Sequence, residues 1–306
     1  MKILARSAIV AAALITVASA PRAQSTDSIA DTLGWKTSLV ADFTTTQTSY
    51  SDSWVGGEAG SLNWVSNVDG SAERQLSPKL NFRSILRLKF GQTVTQDGET
   101  KVWSKPRKST DLIDWENLAR FTLGGVVDPY AAFRLETQFF DGTVAAKKLY
   151  FTPLKLTESA GVARQFYKRE DEAVVSRFGA ALRQIFRKSV IDTVTLETDD
   201  STITDGGLES VTDATLKLSQ NLRYVGKLTM FKALFSSESG REAPIGKPDL
   251  GLHWASVDIN WENTLTAAVS KIVSVNLYTQ LLYDKDIDKR TRLKETLGIG
   301  FVFRMI

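Results

Sequence analysis

Cysteine is absent from this chain, which excludes a disulfide framework, a thiol nucleophile and any cysteine-built metal centre. Such a composition suits a compartment where stray thiols would be oxidised. Histidine is nearly absent, with His253 the single example, so there is little material for imidazole acid–base or metal chemistry. Beyond residue 23 no apolar run is long enough to cross a bilayer as a helix. If the chain spans a membrane, it must do so as a closed barrel, because only a barrel pairs every strand's backbone groups in lipid. Net charge is scarce too. The formal +3 comes from 38 basic against 35 acidic residues. The first 23 residues hold Lys2, Arg6 and Arg22 and no acid, so without them the two signs balance. A nucleic-acid partner therefore has no compositional support.

Those first residues have the form of an export signal. Lys2 and Arg6 make a basic start, Ala8 to Val17 an apolar centre, and Ala18, Ser19, Ala20 and Ala23 supply small residues for cleavage. Pro21 disfavours cutting after Ala20, which points to Ser19 or Ala23. The expected organisation is a signal peptide over 1–23, a short periplasmic segment over 24–33, and one barrel domain over 34–306.

What the chain has in quantity is alternation. In the last stretch, Leu293, Leu297, Ile299, Phe301, Phe303 and Met305 share one parity, interrupted only by Glu295, while Lys294, Thr296, Gly298, Gly300 and Arg304 share the other. A strand sends successive side chains to opposite faces, so this is a strand with one greasy side, roughly twice the ordinary soluble length. The pattern recurs along the chain. Leu80, Phe82, Leu86, Leu88 and Phe90 oppose Asn81, Arg83, Arg87 and Lys89; Val174, Phe178, Ala180, Leu182 and Phe186 oppose Arg177, Arg183 and Arg187. Ala255, Val257, Ile259 and Trp261 oppose Ser256, Asp258, Asn260 and Glu262. About twelve such strands can be drawn, each near the length that crosses a bilayer when tilted.

Connections alternate as well. Val127-Asp128-Pro129, Ser219-Gln220-Asn221 and Asn263–Thr266 read as tight links, and Asp69–Ser77 and Tyr167–Ala173 as longer ones on the same side. Gln92–Leu112, Ser189–Gly207, Ser236–Leu250 and Asp284–Thr291 read as long polar loops on the other. Short periplasmic turns with longer outer loops are the habit of outer-membrane barrels. Trp35, Tyr130 and Trp261 fall near one set of strand ends and Trp115, Trp254 and Tyr283 near the other, as two aromatic belts would. The expected fold is thus an all-β transmembrane antiparallel barrel of about twelve strands. A soluble sandwich or lipocalin-like barrel also alternates, but with shorter strands.

Several segments resemble a bacterial domain family of unknown function, found in Bacteroidota and relatives. The resemblance is carried by Trp54-Val55-Gly56-Gly57, Lys108-Ser109-Thr110-Asp111-Leu112-Ile113-Asp114, Glu136-Thr137-Gln138-Phe139-Phe140-Asp141-Gly142, Phe151-Thr152-Pro153-Leu154 and Glu158-Ser159-Ala160-Gly161-Val162. It spans residues 34–188 and the C-terminal strand. It implies an outer-membrane barrel, a Gram-negative cell and recognition by the barrel-assembly machinery, and no activity. The chain departs from such barrels at its end, where Ile306 stands on the polar parity instead of a terminal aromatic.

Catalytic constellations are poor. His253 and Ser256 are three apart on one proposed strand and so face opposite ways, which disfavours a hydrolase dyad. Asp199-Asp200 with Asp205-Gly206-Gly207 lacks the spacing of a calcium loop and reads as a solvated outer loop. Gly56-Gly57 and Gly124-Gly125 read as bends or bulges. No cofactor and no enzyme activity are expected. Functional content lies in the polar face. Arg83, Arg87, Lys89, Arg120, Arg134, Glu136 and Arg177 would line the lumen, with Arg183, Arg187, Arg223, Lys227, Asp258, Glu262 and Lys294; Glu116 and Asp213 join them. Charges inside a barrel are either hydrated or paired. Two readings follow: a porin-like passive channel with a mildly basic lumen for small anionic solutes, or a non-conducting structural or surface-interaction barrel plugged by salt bridges. The expected partners are outer-membrane lipid, the assembly machinery and such solutes, with no nucleic acid.

Overall fold

The computed structural model describes residues 34–51, 58–169, 171–239, 253–285 and 288–304. The export segment, Trp54–Gly57, most of Ser236–Leu250 and the terminal Met305 and Ile306 lie outside them. The strands are β1 (Lys36–Thr48), β2 (Ser61–Ser77), β3 (Leu80–Thr95), β4 (Arg107–Phe121), β5 (Asp128–Thr137), β6 (Phe140–Asp141) and β7 (Leu149–Tyr150). They continue as β8 (Leu154–Arg169), β9 (Glu172–Val190), β10 (Thr198–Lys217), β11 (Leu222–Ser236), β12 (Val257–Ala268), β13 (Val273–Asp284) and β14 (Asp288–Arg304). Twelve of these close into one antiparallel barrel in chain order, β14 returning to β1, while β6 and β7 form a separate hairpin between β5 and β8.

Closure leaves no free sheet edge where the register is complete, which is what lets strands stand in lipid. The faces are inverted relative to a soluble protein. Among the described residues, buried side chains are mostly polar or charged, and Phe231 and Asp114 are the largest that are fully buried. Large apolar side chains point outward instead: Phe43, Trp115, Phe178, Leu234, Leu293, Leu297, Ile299, Phe301 and Phe303 are all exposed. An apolar surface this extensive is unsustainable in water and suits hydrocarbon.

All twelve expected barrel strands exist, but their ends move. Asp69–Ser77 belongs to β2, and Tyr167–Ala173 to the end of β8 and the start of β9, so both links shrink to tight turns. Asn263–Thr266 is not a turn but the middle of β12; the turn lies at residues 269–272, where Val269 N and Ser270 N donate to Val273 O at 2.9 and 3.0 Å. Asn263 misleads because it is a polar residue on the outer face, held there by Tyr224 Oη, which donates to its Oδ1 at 2.6 Å. Ser189–Gly207 is mostly strand rather than loop, since β10 starts at Thr198. The Asp199–Gly207 stretch is therefore ladder, with a register shift at Gly206/Gly207, and Asp205 is buried. Among the described residues no cluster of acids or imidazoles could hold a metal ion. Gly124 does sit in a bend, with φ of 73°. His253 lies in a short 3-10 turn, His253–Ala255, before β12 rather than on the strand.

Two aromatic assignments also change. Tyr130 is 4% exposed and shares the inward parity of Arg134, so it packs inside. Trp254 packs against the inner cluster of Ala181, Phe231 and Ala233 at the long-loop end. Trp35, Trp115 and Trp261 do stand outward, Trp115 Nε1 donating to Ser84 Oγ at 3.0 Å. The β6–β7 hairpin was not foreseeable, because two-residue strands carry no period. Beyond the strands, Asp97 accepts from Thr100 N, Thr100 Oγ1 and Glu99 N at 2.7, 2.8 and 3.1 Å, which holds its carboxyl below the usual carboxylate range.

β8 and β9 approach closely where Gly161 pairs with Gly179. A methyl group on Gly161 would overlap Phe178 O and Gly179 Cα, which are backbone and cannot rotate away. Gly161→Val is expected to destabilise the barrel by about 1–3 kcal/mol or more through overpacking. Urea unfolding in detergent, followed by heat-dependent gel migration, checks this; an unchanged midpoint would mean the two strands part freely.

Candidate functional site

The site is the inner wall, built by parity. Asp114, Glu116 and Arg120 of β4 point inward together, as do Arg134 and Glu136 of β5, Arg177 and Arg183 of β9, and Asp258 and Glu262 of β12. One network runs along neighbouring strands. Arg134 donates to Asp114 through Nε at 2.8 Å and Nη2 at 3.1 Å, a bidentate pair. Arg87 Nη1 reaches the same carboxylate at 3.5 Å. Arg134 Nη2 also meets Glu136 at 3.0 Å, and Lys155 Nζ closes on Glu136 at 2.9 Å.

The second network crosses the lumen. β4 and β11 are five steps apart around the ring of twelve, nearly opposite. Yet Lys227 of β11 donates to Glu116 of β4 at 2.6 Å. Arg177 of β9 grips the other oxygen of Glu116 and lies 3.6 Å from Asp213. β3 and β12 are likewise five steps apart, and Lys89 Nζ lies 3.6 Å from Glu262 and 4.6 Å from the Tyr278 ring centre. Tyr278 Oη donates to Glu262 at 3.2 Å. Nearer the long-loop end, Arg183 donates to Asp258 at 2.7 Å, and its guanidinium stacks 3.7 Å over Phe231.

A twelve-stranded ring is wider than the eight-stranded one that ordinary side chains fill, so crossing it takes long side chains meeting from both walls. Lys–Glu and Arg–Glu pairs are long enough to meet there and end in a charge-assisted bond. One cavity of about 10 Å³ lies among them, lined by Glu116, Arg134, Arg177, Glu209 and Lys227 among others. That is about one water.

Of the expected lumen residues, Arg87, Lys89, Arg134, Glu136, Arg177, Arg183, Lys227, Asp258 and Glu262 are brought together in these networks. Arg120 sits apart, 3.9 Å from Asp128 at the short-turn end. Lys294 donates to Ser109 O and Thr110 Oγ1 at 3.1 and 2.5 Å. Arg83, Arg187 and Arg223 share the inward parity but are exposed near the barrel mouths, outside the networks. The expected basic excess narrows. Asp42, Asp69, Asp114 and Glu209 face inward too, so more of the wall's cations have a carboxylate on the same wall. Asp114, the most completely buried acid, was missed although it stands two residues from Glu116 on one face; parity alone identifies it. Lys155 and Tyr278 were missed likewise.

Residues 45–142 match the model of a family described as a protein of unknown function, DUF3078. That stretch contains the Trp54–Gly57, Lys108–Asp114 and Glu136–Gly142 segments. No curated protein matches the chain. Among solved structures, an outer-membrane channel from Pseudomonas putida F1 is similar at 11% identity, covering 92% of this chain and 100% of that one, with a TM-score of 0.42. The translocator domain of the autotransporter NalP from Neisseria meningitidis gives 11% identity, coverage of 90% and 92%, and a TM-score of 0.31. The β domain of the Bordetella autotransporter BrkA gives 12%, 88% and 98%, and 0.33. These likenesses concern the fold alone.

Proposed function

We propose that this chain is an outer-membrane barrel whose lumen is bolted shut, a non-conducting structural or surface-interaction element rather than a standing passive channel. The observation that carries this reading is the Lys227–Glu116 pair, which joins nearly opposite walls and takes both side chains out of solvent. A permeation path needs a hydrated, continuous cross-section, and paired charges across the middle interrupt it. The cations at the middle of the wall are held by carboxylates, which leaves little free positive charge there to select anions in the closed state. Outer-membrane lipid and the assembly machinery are the partners this reading requires. Activity as an enzyme is not part of it.

Planar-bilayer recording of the refolded barrel tests the proposal. The expected result is no steady single-channel current. Regular openings of uniform conductance under modest voltage would overturn it and restore the channel reading.

A further inference from the structure

A groove opens on the lipid-facing wall near the short-turn end, and the strand ladder accounts for it. β8 pairs with β5 only as far as Ala163↔Asp128, and from Arg164 onward it pairs with β9 alone. β5 stops there, below the turn that carries Val127, and leaves a step in the sheet beside Arg164. A register shift between Gln165 and Tyr167 adds Phe166 as an extra residue, which bends the end of β8 further. The resulting cavity holds about 170 Å³, far more than the 10 Å³ of the luminal one.

Its lining is of two kinds. Val127, Val162, Phe166 and Phe178 are apolar and exposed. Arg164, Ser176 and Ser210 supply the polar groups. The strand residues share the outward face, with Arg164 directly opposite Ser176 and Val162 opposite Phe178 across β8 and β9. Facing residues of a ladder have their side chains within reach of one another. Ser176 Oγ lies 2.8 Å from Thr212 Oγ1, and Ser210 stands opposite Phe178, two residues farther from the short turns. Two residues of strand are roughly 6–7 Å.

Arg164 is exposed, with its guanidinium 5.2 Å from the Phe166 ring centre, and it has no hydrogen bond or carboxylate partner among the described residues. The outward positions around it are Val174, Ser176 and Phe178 on β9 and Leu208, Ser210 and Thr212 on β10, none of them acidic. A lipid-facing arginine is tolerated close to the interface, where an anion or water can meet it. A cation without an acid, a hydroxyl facing it and an apolar floor together match a phosphate that carries hydrocarbon chains.

We propose that this groove binds an anionic phospholipid of the phosphatidylglycerol type. Its phosphate pairs with Arg164 and accepts from Ser176, Ser210 donates to an ester carbonyl farther in, and its chains lie along Val162 and Phe178. A headgroup that carries its own ammonium is disfavoured, because the groove offers that ammonium no carboxylate. The proposal holds whether or not the lumen conducts, since groove and bolt lie on opposite faces of the wall.

The test uses the full barrel, refolded into vesicles of equal parts phosphatidylglycerol, phosphatidylethanolamine and phosphatidylcholine, then extracted in mild detergent. Retained lipid is measured by mass spectrometry, and heat-dependent gel migration confirms that each variant is a folded barrel. The wild type is expected to keep phosphatidylglycerol over the other two by about tenfold, the order of one charge-assisted contact. Arg164→Gln should abolish that preference, and Val162→Trp should do the same by filling the groove with the arginine in place. Lys79→Gln, which removes an exposed cation from the β2–β3 turn, should leave it unchanged. Equal retention of all three lipids by the wild type, or a preference that survives Arg164→Gln, overturns the proposal. An equal loss in Lys79→Gln also overturns it, because the attraction would then belong to the basic rim as a whole. Phe166→Cys, in a chain with no cysteine of its own, reports the other occupant: disulfide-linked dimers would assign the groove to a second copy and overturn the lipid.

Discussion

Glu116→Ala is expected to destabilise the barrel by about 3–5 kcal/mol, because it leaves buried cations without their counter-charge. Lys227 and Arg177 both close on this one carboxylate, and both are almost fully out of solvent. Arg177 keeps Asp213 at 3.6 Å as a weaker partner, while Lys227 keeps no carboxylate in ion-pair range among the described residues. Lys227→Ala alone should cost less, since Glu116 retains Arg177. In the double variant the two losses should fall short of their sum by about 0.5–3 kcal/mol, the coupling of residues in contact. Urea unfolding of the four proteins in one detergent gives that cycle. A coupling near zero would mean that water already separates the pair and that the bolt does not hold. The double variant should also conduct more than the wild type, since it removes one of the two contacts joining nearly opposite walls and leaves Lys89–Glu262. Arg83, Arg187 and Arg223, exposed at the mouths, would then favour anions.

The fold was legible because one solvent enforces one rule on every strand. Lipid accepts only apolar side chains on one parity, so Leu80–Phe90 and Leu293–Phe303 announce their outer faces without reference to any neighbour. Misreadings arose where a residue obeyed a partner instead of the rule. Asn263 is polar yet outward because Tyr224 meets it, so polarity by itself makes it read as a turn. Tyr130 is an aromatic at a strand end yet inward, and only its shared parity with Arg134 says so. Trp254 packs inward because the chain returns in a 3-10 turn onto Phe231, a contact between segments that no local pattern encodes. The same limit applies to the site. Parity places Arg87, Glu116 and Lys227 on the inner wall, but that Lys227 meets Glu116 depends on β4 and β11 standing opposite. That follows from closure of all twelve strands, a property of the ring and not of either segment.

Asp114→Ala is the other substitution with a large expected effect, again about 3–5 kcal/mol by loss of a buried counter-charge. Its carboxylate is 2% exposed and serves two guanidinium groups, with Arg134 held in the bidentate fork that fixes direction as well as distance. Here the comparison with an apolar replacement is informative. Exchanging a whole buried pair for side chains of similar volume is often neutral or stabilising, whereas removing one member is not. Asp114→Leu combined with Arg134→Met should therefore recover most of the stability lost in Asp114→Ala. It should not recover all, because Glu136 then keeps only Lys155, at 2.9 Å, and Arg87 loses its carboxylate. Unfolding midpoints and amide exchange on β4 and β5 measure both outcomes. If the paired replacement is as unstable as the single one, Asp114 acts through Arg87 rather than Arg134, and the network is centred on β3–β4 instead of β4–β5.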